Sequence, residues 1–338
     1  MRSSRVTIAA TAAILVTFTP VMAQTVADFY RGKTVQLLVG YPPGGGFDVY
    51  ARAVGRFMGK HIPGNPTVII NNMPGASSLQ LIRYLLTVAP TDGTQFGMFN
   101  RGLMQQSMLN PEKIDVDFTR FTWIGSMNSE LNVCYIWGTK GIDTIERMKK
   151  ASITLGETSQ NSAGYIYTAI LRSLTPDNVR PVYGYRSTGD IWLAMERGEV
   201  DGNCTLMSSL QTQRPEWLIH KKIDFLVQFA KERHKNLPNV PTIFELISSK
   251  NAQKAIDFLI ASEPIGRPIV GPPNMAPERA IALRKAFLDT MKDPEFLLFA
   301  ANAKMDLEPV AGEKASEIAA ETQNTPSDVV DFARKLLR

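Results

Sequence analysis

The chain has little of what most enzymes are built from. It carries 2 cysteines and 3 histidines in 338 residues. Cys134 and Cys204 are too few for a disulfide framework and too far apart for a short metal motif. They read either as a pair bridged in an oxidising compartment or as two separate buried thiols acting as small hydrophobes. His61, His220 and His234 each lie amid polar or charged sequence, with no metal spacing and no nucleophile motif beside them. Gly-x-Ser-x-Gly, His-Glu-x-x-His and Cys-x-x-Cys are all missing, so acyl transfer and metal-dependent hydrolysis lack their usual marks. No enzyme activity, cofactor or metal is expected. A strong charge bias is also lacking: 37 Lys and Arg stand against 32 Asp and Glu, a net charge of +5. The basic residues are scattered, which argues against nucleic acid as a partner.

Long apolar runs are scarce as well. The first 23 residues combine a basic start (Arg2, Arg5), an apolar stretch from Val6 to Phe18 and the tail Pro20-Val21-Met22-Ala23. That composition predicts a secretory signal cut after Ala23, and hence a periplasmic protein. Thr7, Thr11 and Thr17 interrupt the stretch and Pro20 closes it, so it falls short of the roughly 20 apolar residues that span a bilayer. No later segment approaches that length.

What is present is a repeated alternation of strand and helix. Residues 24–338 are more than one hydrophobic core usually serves, which predicts two domains. The pattern reads as strand 35–41, helix 48–61, strand 67–72, helix 78–88 and strand 95–100. The first strand is a continuous apolar run, as in a sheet covered on both faces. Tyr50, Val54, Phe57 and Met58 make one buried stripe of the first helix, and Asp48 is placed to cap its start. Near residue 120 two strands follow in succession with no helix between them, as a chain crossing between lobes would. Alternation then resumes: strand 152–157, helix 163–174, strand 179–185, helix 189–197 and strand 199–206. Strand 222–230 is read as the return. Helices starting at Pro277 and, capped by Asp293, at Pro294 follow. The predicted organisation is lobe one over 24–125, lobe two over 126–222 and lobe one again over 223–338. The predicted class is α/β: a two-lobed clamshell, each lobe a mostly parallel sheet flanked by helices.

The most informative segment is Tyr41-Pro-Pro-Gly-Gly-Gly-Phe-Asp48, between the end of a strand and the start of a helix. Ligands of parallel α/β sheets bind outside the carboxyl ends of the strands. Glycines admit a ligand close to the backbone, and the helix N-terminus adds partial positive charge, which suits a carboxylate. No Lys-Ser/Thr follows, which excludes a P-loop, and the dinucleotide glycine spacing is absent. A plain tight turn is the alternative, though two prolines and three glycines exceed what a turn requires.

These residues carry a resemblance. Tyr41–Asp48, Asn72-Met-Pro-Gly-Ala76, Ala89-Pro-Thr-Asp-Gly-Thr94, Gly184-Tyr-Arg-Ser-Thr188, Arg197-Gly-Glu-Val-Asp-Gly202, Pro272-Pro273 and Asp293-Pro294 together resemble the receptors of tripartite tricarboxylate transporters, the Bordetella uptake gene family. The resemblance implies a monomeric clamshell that binds a small organic acid, often a dicarboxylate, between its lobes and presents it to a permease of one large and one small subunit. Carried over, Pro43, Gly44, Gly45, Gly46, Phe47 and Asp48 form the lobe-one cradle, flanked by Pro74, Gly75, Ala76 and Ser77. Tyr185, Arg186, Ser187 and Thr188 are expected to face it from lobe two, Arg186 with a solvated loop arginine as its alternative, and Thr158, Ser159 and Ser162 lie in a loop that matches the family poorly. Phe47 stands where many relatives have threonine, and Ser77 and Ser78 where they have glycines, so a ligand other than the simplest dicarboxylates is expected. Arg101, just after the third strand, either reaches the cleft to fork onto a carboxylate or is a solvated loop arginine. Asp201 is read as a brace of lobe two, and Trp123 and Trp137 as hinge packing. A periplasmic sensor with the same ligand, or a hydrolase on the same scaffold, are the competing functions.

Overall fold

The computed structural model describes residues 24–160, 162–175 and 177–337, so the expected signal segment lies outside the described residues. Strands β1 (Thr34–Val39), β2 (Thr67–Asn72), β3 (Gln95–Met98) and β4 (Thr122–Ser126) belong to a first sheet, and β5 (Asn132–Trp137), β6 (Ile153–Glu157), β7 (Val179–Tyr183), β8 (Gly202–Leu206) and β9 (Ile223–Phe229) to a second. β10 (Pro268–Gly271) and β11 (Val310–Ala311) return to the first. The orders are β11-β4-β10-β3-β1-β2 and β7-β6-β8-β5-β9.

β1 shows why the sequence makes a covered sheet. Successive side chains of a strand point to opposite faces. Val35, Leu37 and Val39 pack with Tyr50, Val54 and Met58 of helix Gly46–Met58. Leu38 points the other way, onto Leu79, Leu81, Ile82 and Leu85 of helix Leu79–Thr87. Each such side chain fully buried contributes about 1.5–3 kcal/mol, so one six-residue strand anchors both helical layers. β1 runs parallel to β2 and β3, and β6 parallel to β7 and β8. Strands that enter without a crossover helix are antiparallel: β10 between β3 and β4, β11 beside β4, and β5 between β8 and β9. The clamshell class therefore holds, with mixed sheets whose parallel parts are the βαβ units.

Three stretches differ from the sequence reading. The chain does not return to the first lobe at residue 223: β9 is the edge strand of the second sheet, and helix Lys250–Ile260 packs its Ala255, Ile256 and Leu259 into the same core. Helices Gly312–Gln323 and Ser327–Leu336 follow the two recognised near the end, and the last buries Val330 and Ala333 in the second lobe's core. The crossings thus fall at 126–132, 260–268 and 323–327. Trp123 is not hinge packing but first-lobe core beside Phe99, its Nε1 donating to Phe118 O at 3.0 Å. Trp137 stacks edge-on against Trp217 in the second lobe.

Cys134 and Cys204 face each other in register on β5 and β8 and are joined as a disulfide. Asp201 braces the second lobe: it accepts from Thr154 N at 2.7 Å and pairs with Lys140 at 2.6 Å.

Candidate functional site

The carboxyl ends of the parallel strands of both sheets meet across a cleft. Tyr41, Gly45, Gly46 and Phe47 follow β1, and Asn100 and Arg101 follow β3. From the second lobe come Glu157 and Thr158 at the end of β6, Ser162, Ser187 and Thr188 at two helix starts, and Asn203 and Thr205 on β8. These groups enclose a cavity of about 60 Å³. A second, more open space of about 290 Å³ lies on the other side of Tyr41 and Thr158, walled by Pro74, Gly75, Ala76, Ser77, Ser159, Tyr185 and Arg186. The loop residues carried over from the resemblance therefore divide between two adjoining spaces in one cleft.

Three of them line neither. Pro43 and Gly44 sit on the exposed side of the glycine loop. Asp48 is buried and fully engaged within its own lobe: it accepts from Gly44 N at 2.9 Å, Arg52 Nε at 2.8 Å and Asn72 Nδ2 at 2.9 Å. Burial works to raise its pKa, but these donors outweigh it and hold the carboxyl below its usual range. Asp48 does not cap the helix, whose N-cap is Gly45, and instead ties the loop to β2. The glycine requirement is local. Gly44 has φ +87°, and a Cβ on Gly46 would lie 2.6 Å from Ser209 Oγ. The amide of Gln213, in the orientation that satisfies both atoms, accepts from Gly46 N at 2.8 Å and donates to Gly44 O at 3.3 Å. Phe47 stacks on Tyr41 with ring centres 4.9 Å apart.

The second loop departs from ordinary backbone geometry. Gly75, Ala76, Ser77 and Ser78 have φ of 154°, 44°, 52° and 78° in succession. For residues with a Cβ, each such conformation costs of order 1 kcal/mol or more. Hydrogen bonds offset it: Ser78 Oγ donates to Gly40 O and accepts from Asn100 N, both at 3.2 Å, clamping the loop to the ends of β1 and β3.

Two buried arginines set the electrostatics. Arg267 has Glu130 Oε1 at 3.4 Å, donates to Ser208 and Ser209 at 3.1 Å, and lies over the rings of Phe47 and Tyr50 at 4.5 and 4.8 Å. Arg101 is 1% exposed and therefore not a solvated loop arginine. It donates only from Nη2, to Tyr167 OH at 3.3 Å, and its Nε and Nη1 have no partner among the described residues. Arg101 thus brings a buried guanidinium with idle donors to the cavity wall, where buried polar groups are ordinarily paired.

Sequence reasoning missed Glu157 and Glu263. Glu157 accepts from Thr168 Oγ1 at 2.5 Å and Ser162 Oγ at 3.2 Å, yet burial prevails and pushes its pKa up to about 8. Glu263, behind Arg101, is likewise raised by burial to about 8, with Arg101 pulling the other way. An acidic residue closing an apolar strand, Ile153-Thr-Leu-Gly-Glu157, was the only available signal. Among the described residues no cluster of His, Cys, Asp or Glu could hold a metal ion, and no helix is long and apolar enough to cross a membrane.

No protein-family model matches the chain. Two curated relatives do: the UPF0065 protein of the tcbD-tcbE intergenic region of Pseudomonas sp. strain P51, 26% identical over 227 residues, and that of the gbd 5' region of Cupriavidus necator, 26% identical over 344 residues. The first match spans 64% of each chain, just under two thirds, and the second 96% of this chain and 94% of the relative. Among solved structures, the periplasmic binding protein BugD superimposes with a TM-score of 0.73 at 17% identity, covering 91% of this chain and 98% of its own. MatC of Rhodopseudomonas palustris with bound malate gives 0.70 at 17% identity, covering 88% and 99%. An R. palustris protein with adipate gives 0.68 at 16%, covering 89% and 97%. This chain shares their fold. In its motifs and in its fold, the chain is similar throughout to the TctC-like solute receptors of the Bordetella uptake family.

Proposed function

We propose that this protein is a periplasmic solute receptor that captures a small organic acid between its lobes, does no chemistry on it, and delivers it to a tripartite tricarboxylate-type permease of one large and one small membrane subunit. One observation carries the reading: Arg101, buried on the cavity wall, has donors without partners and no ion pair among the described residues. A carboxylate supplies the missing acceptors in a fork. The malate and adipate held by two structures of the same fold support an organic acid as the ligand class. Export as a monomer through the signal segment 1–23, and two lobes that close on the ligand, belong to the same proposal.

Thermal denaturation against a panel of organic acids tests it. A ligand at a thousand times its Kd adds roughly 4 kcal/mol, which raises Tm by several degrees. If no carboxylate raises Tm at millimolar concentration, the receptor reading fails. Deleting the gene then separates transport, where uptake of the acid is lost, from sensing, where uptake persists and induction is lost.

A further inference from the structure

The charges lining the cavity are of both signs. Of the residues that line it, the ionisable ones are Tyr41, Arg101 and Glu157, besides the disulfide-bonded Cys204. Arg101 comes from the first lobe and Glu157 from the second, each just beyond or at the carboxyl end of a parallel strand. The cavity therefore has one basic wall and one acidic wall, carried by opposite halves of the clamshell. Glu157 is set firmly: Thr168 and Ser162 hold its two oxygens, and a Cβ on Gly164 would lie 2.5 Å from Oε2, so the glycine leaves the room the carboxyl occupies.

Resting on the receptor reading above, we infer that Glu157 is the specificity residue of this site, and that it selects a ligand bearing a single carboxylate for Arg101 and an ammonium group for Glu157. The argument is one of charge. A second ligand carboxylate could sit against Glu157 only while one of the two groups keeps a proton, since two such groups cannot both ionise in so small a space. An ammonium supplies an opposite charge and hydrogen-bond donors to the same oxygens. It also relieves the burial penalty that otherwise keeps Glu157 protonated, because a paired carboxylate is far less costly to bury than a lone one. Arg267 also has Nε and Nη1 without hydrogen-bond partners among the described residues, but it does not line the cavity and its charge is already paired with Glu130.

The test is titration calorimetry with matched pairs in which an ammonium replaces one carboxylate: β-alanine against succinate, 4-aminobutyrate against glutarate, and 5-aminovalerate against adipate. The expected result is at least tenfold tighter binding of the amino member in the pair that fits, a preference lost or reversed in Glu157→Gln. Glu263→Gln, a buried carboxyl that does not line the cavity, serves as control and should move both members of the pair together. Diacids binding as tightly as or more tightly than their amino partners would overturn this inference and leave the receptor reading standing. An amino preference untouched by Glu157→Gln would overturn the role of Glu157. Failure of every member of every pair to bind the wild-type protein would overturn both readings. The wild-type ratios decide the ligand class even if the variant does not fold.

Discussion

Ser77 and Ser159, from opposite lobes, meet hydroxyl to hydroxyl at 2.7 Å across the cleft. Ser77 makes this contact from a left-handed backbone with φ of 52°, so the first lobe reaches the second through a strained residue. Ser77→Ala keeps the strain and removes the bond, whereas Ser77→Gly removes both. Ser77→Gly should therefore be more stable than Ser77→Ala by about 1 kcal/mol in chemical denaturation. Equal stabilities would mean the loop relaxes and stores nothing.

The glycine loop makes a sharper forecast. A Cβ on Gly45 would find only Pro42 O, at 3.9 Å, whereas one on Gly46 would meet Ser209 Oγ at 2.6 Å and Arg267 Nη2 at 3.0 Å. Gly46→Ala should hold the lobes apart and weaken ligand binding at least tenfold, and Gly45→Ala should stay within about twofold, since the closed cleft has no slack to absorb a methyl group. Isothermal titration of both variants settles which glycine is sterically required.

Arg101→Met removes the charge and keeps most of the volume. Losing a buried charge-assisted fork costs about 2–5 kcal/mol of binding, so affinity should fall by thirtyfold or more. The ligand-free protein should become no less stable, because a guanidinium with idle donors has left the interior. A large drop in the ligand-free Tm together with intact binding would assign Arg101 to the scaffold instead.

Glu157 and Glu263 both have folded-state pKa values near 8, above the ordinary 4.5, with burial as the first cause. A group raised on folding stabilises fully below its unfolded pKa, and that stability is lost as pH rises through the folded value. The unfolding free energy of the ligand-free protein should accordingly decline between about pH 5 and pH 8 by an amount on the order of a few kcal/mol, and its Tm should fall with it. Glu157→Gln with Glu263→Gln should flatten the slope. A profile that rises with pH over that window would contradict the burial of these carboxyls.

The sheets and the first loop were readable because their determinants are local. A two-faced apolar strand, a glycine-rich turn and a helix stripe each fit within about a dozen residues, and Val35, Tyr50 and Val54 lie where their spacing puts them. Most of the loop residues of both lobes, though not Pro43, Gly44 or Asp48, gathered in the cleft for the same reason, since they follow strands of parallel units. What escaped depends on contacts between distant segments. Nothing in Ala76-Ser77-Ser78 announces left-handed backbone; it follows from Ser78 being held by Gly40 and Asn100. The engagement of Asp48 requires Asn72, and the burial of Glu157 requires helix Ala163–Leu174 to close over it. β9 reads equally well as a strand of either sheet until its partner is known.

The helix Ser327–Leu336 lies roughly a hundred residues beyond β9 in sequence, yet its Val330 and Ala333 fill the same interior. The first sheet likewise waits for β10 to bridge β3 and β4. During synthesis neither half is complete when its own last strand emerges, and each depends on a piece made after the other has been largely laid down. Assembly of this chain is thereby late and mutual: each half is finished only by a segment made after most of the other.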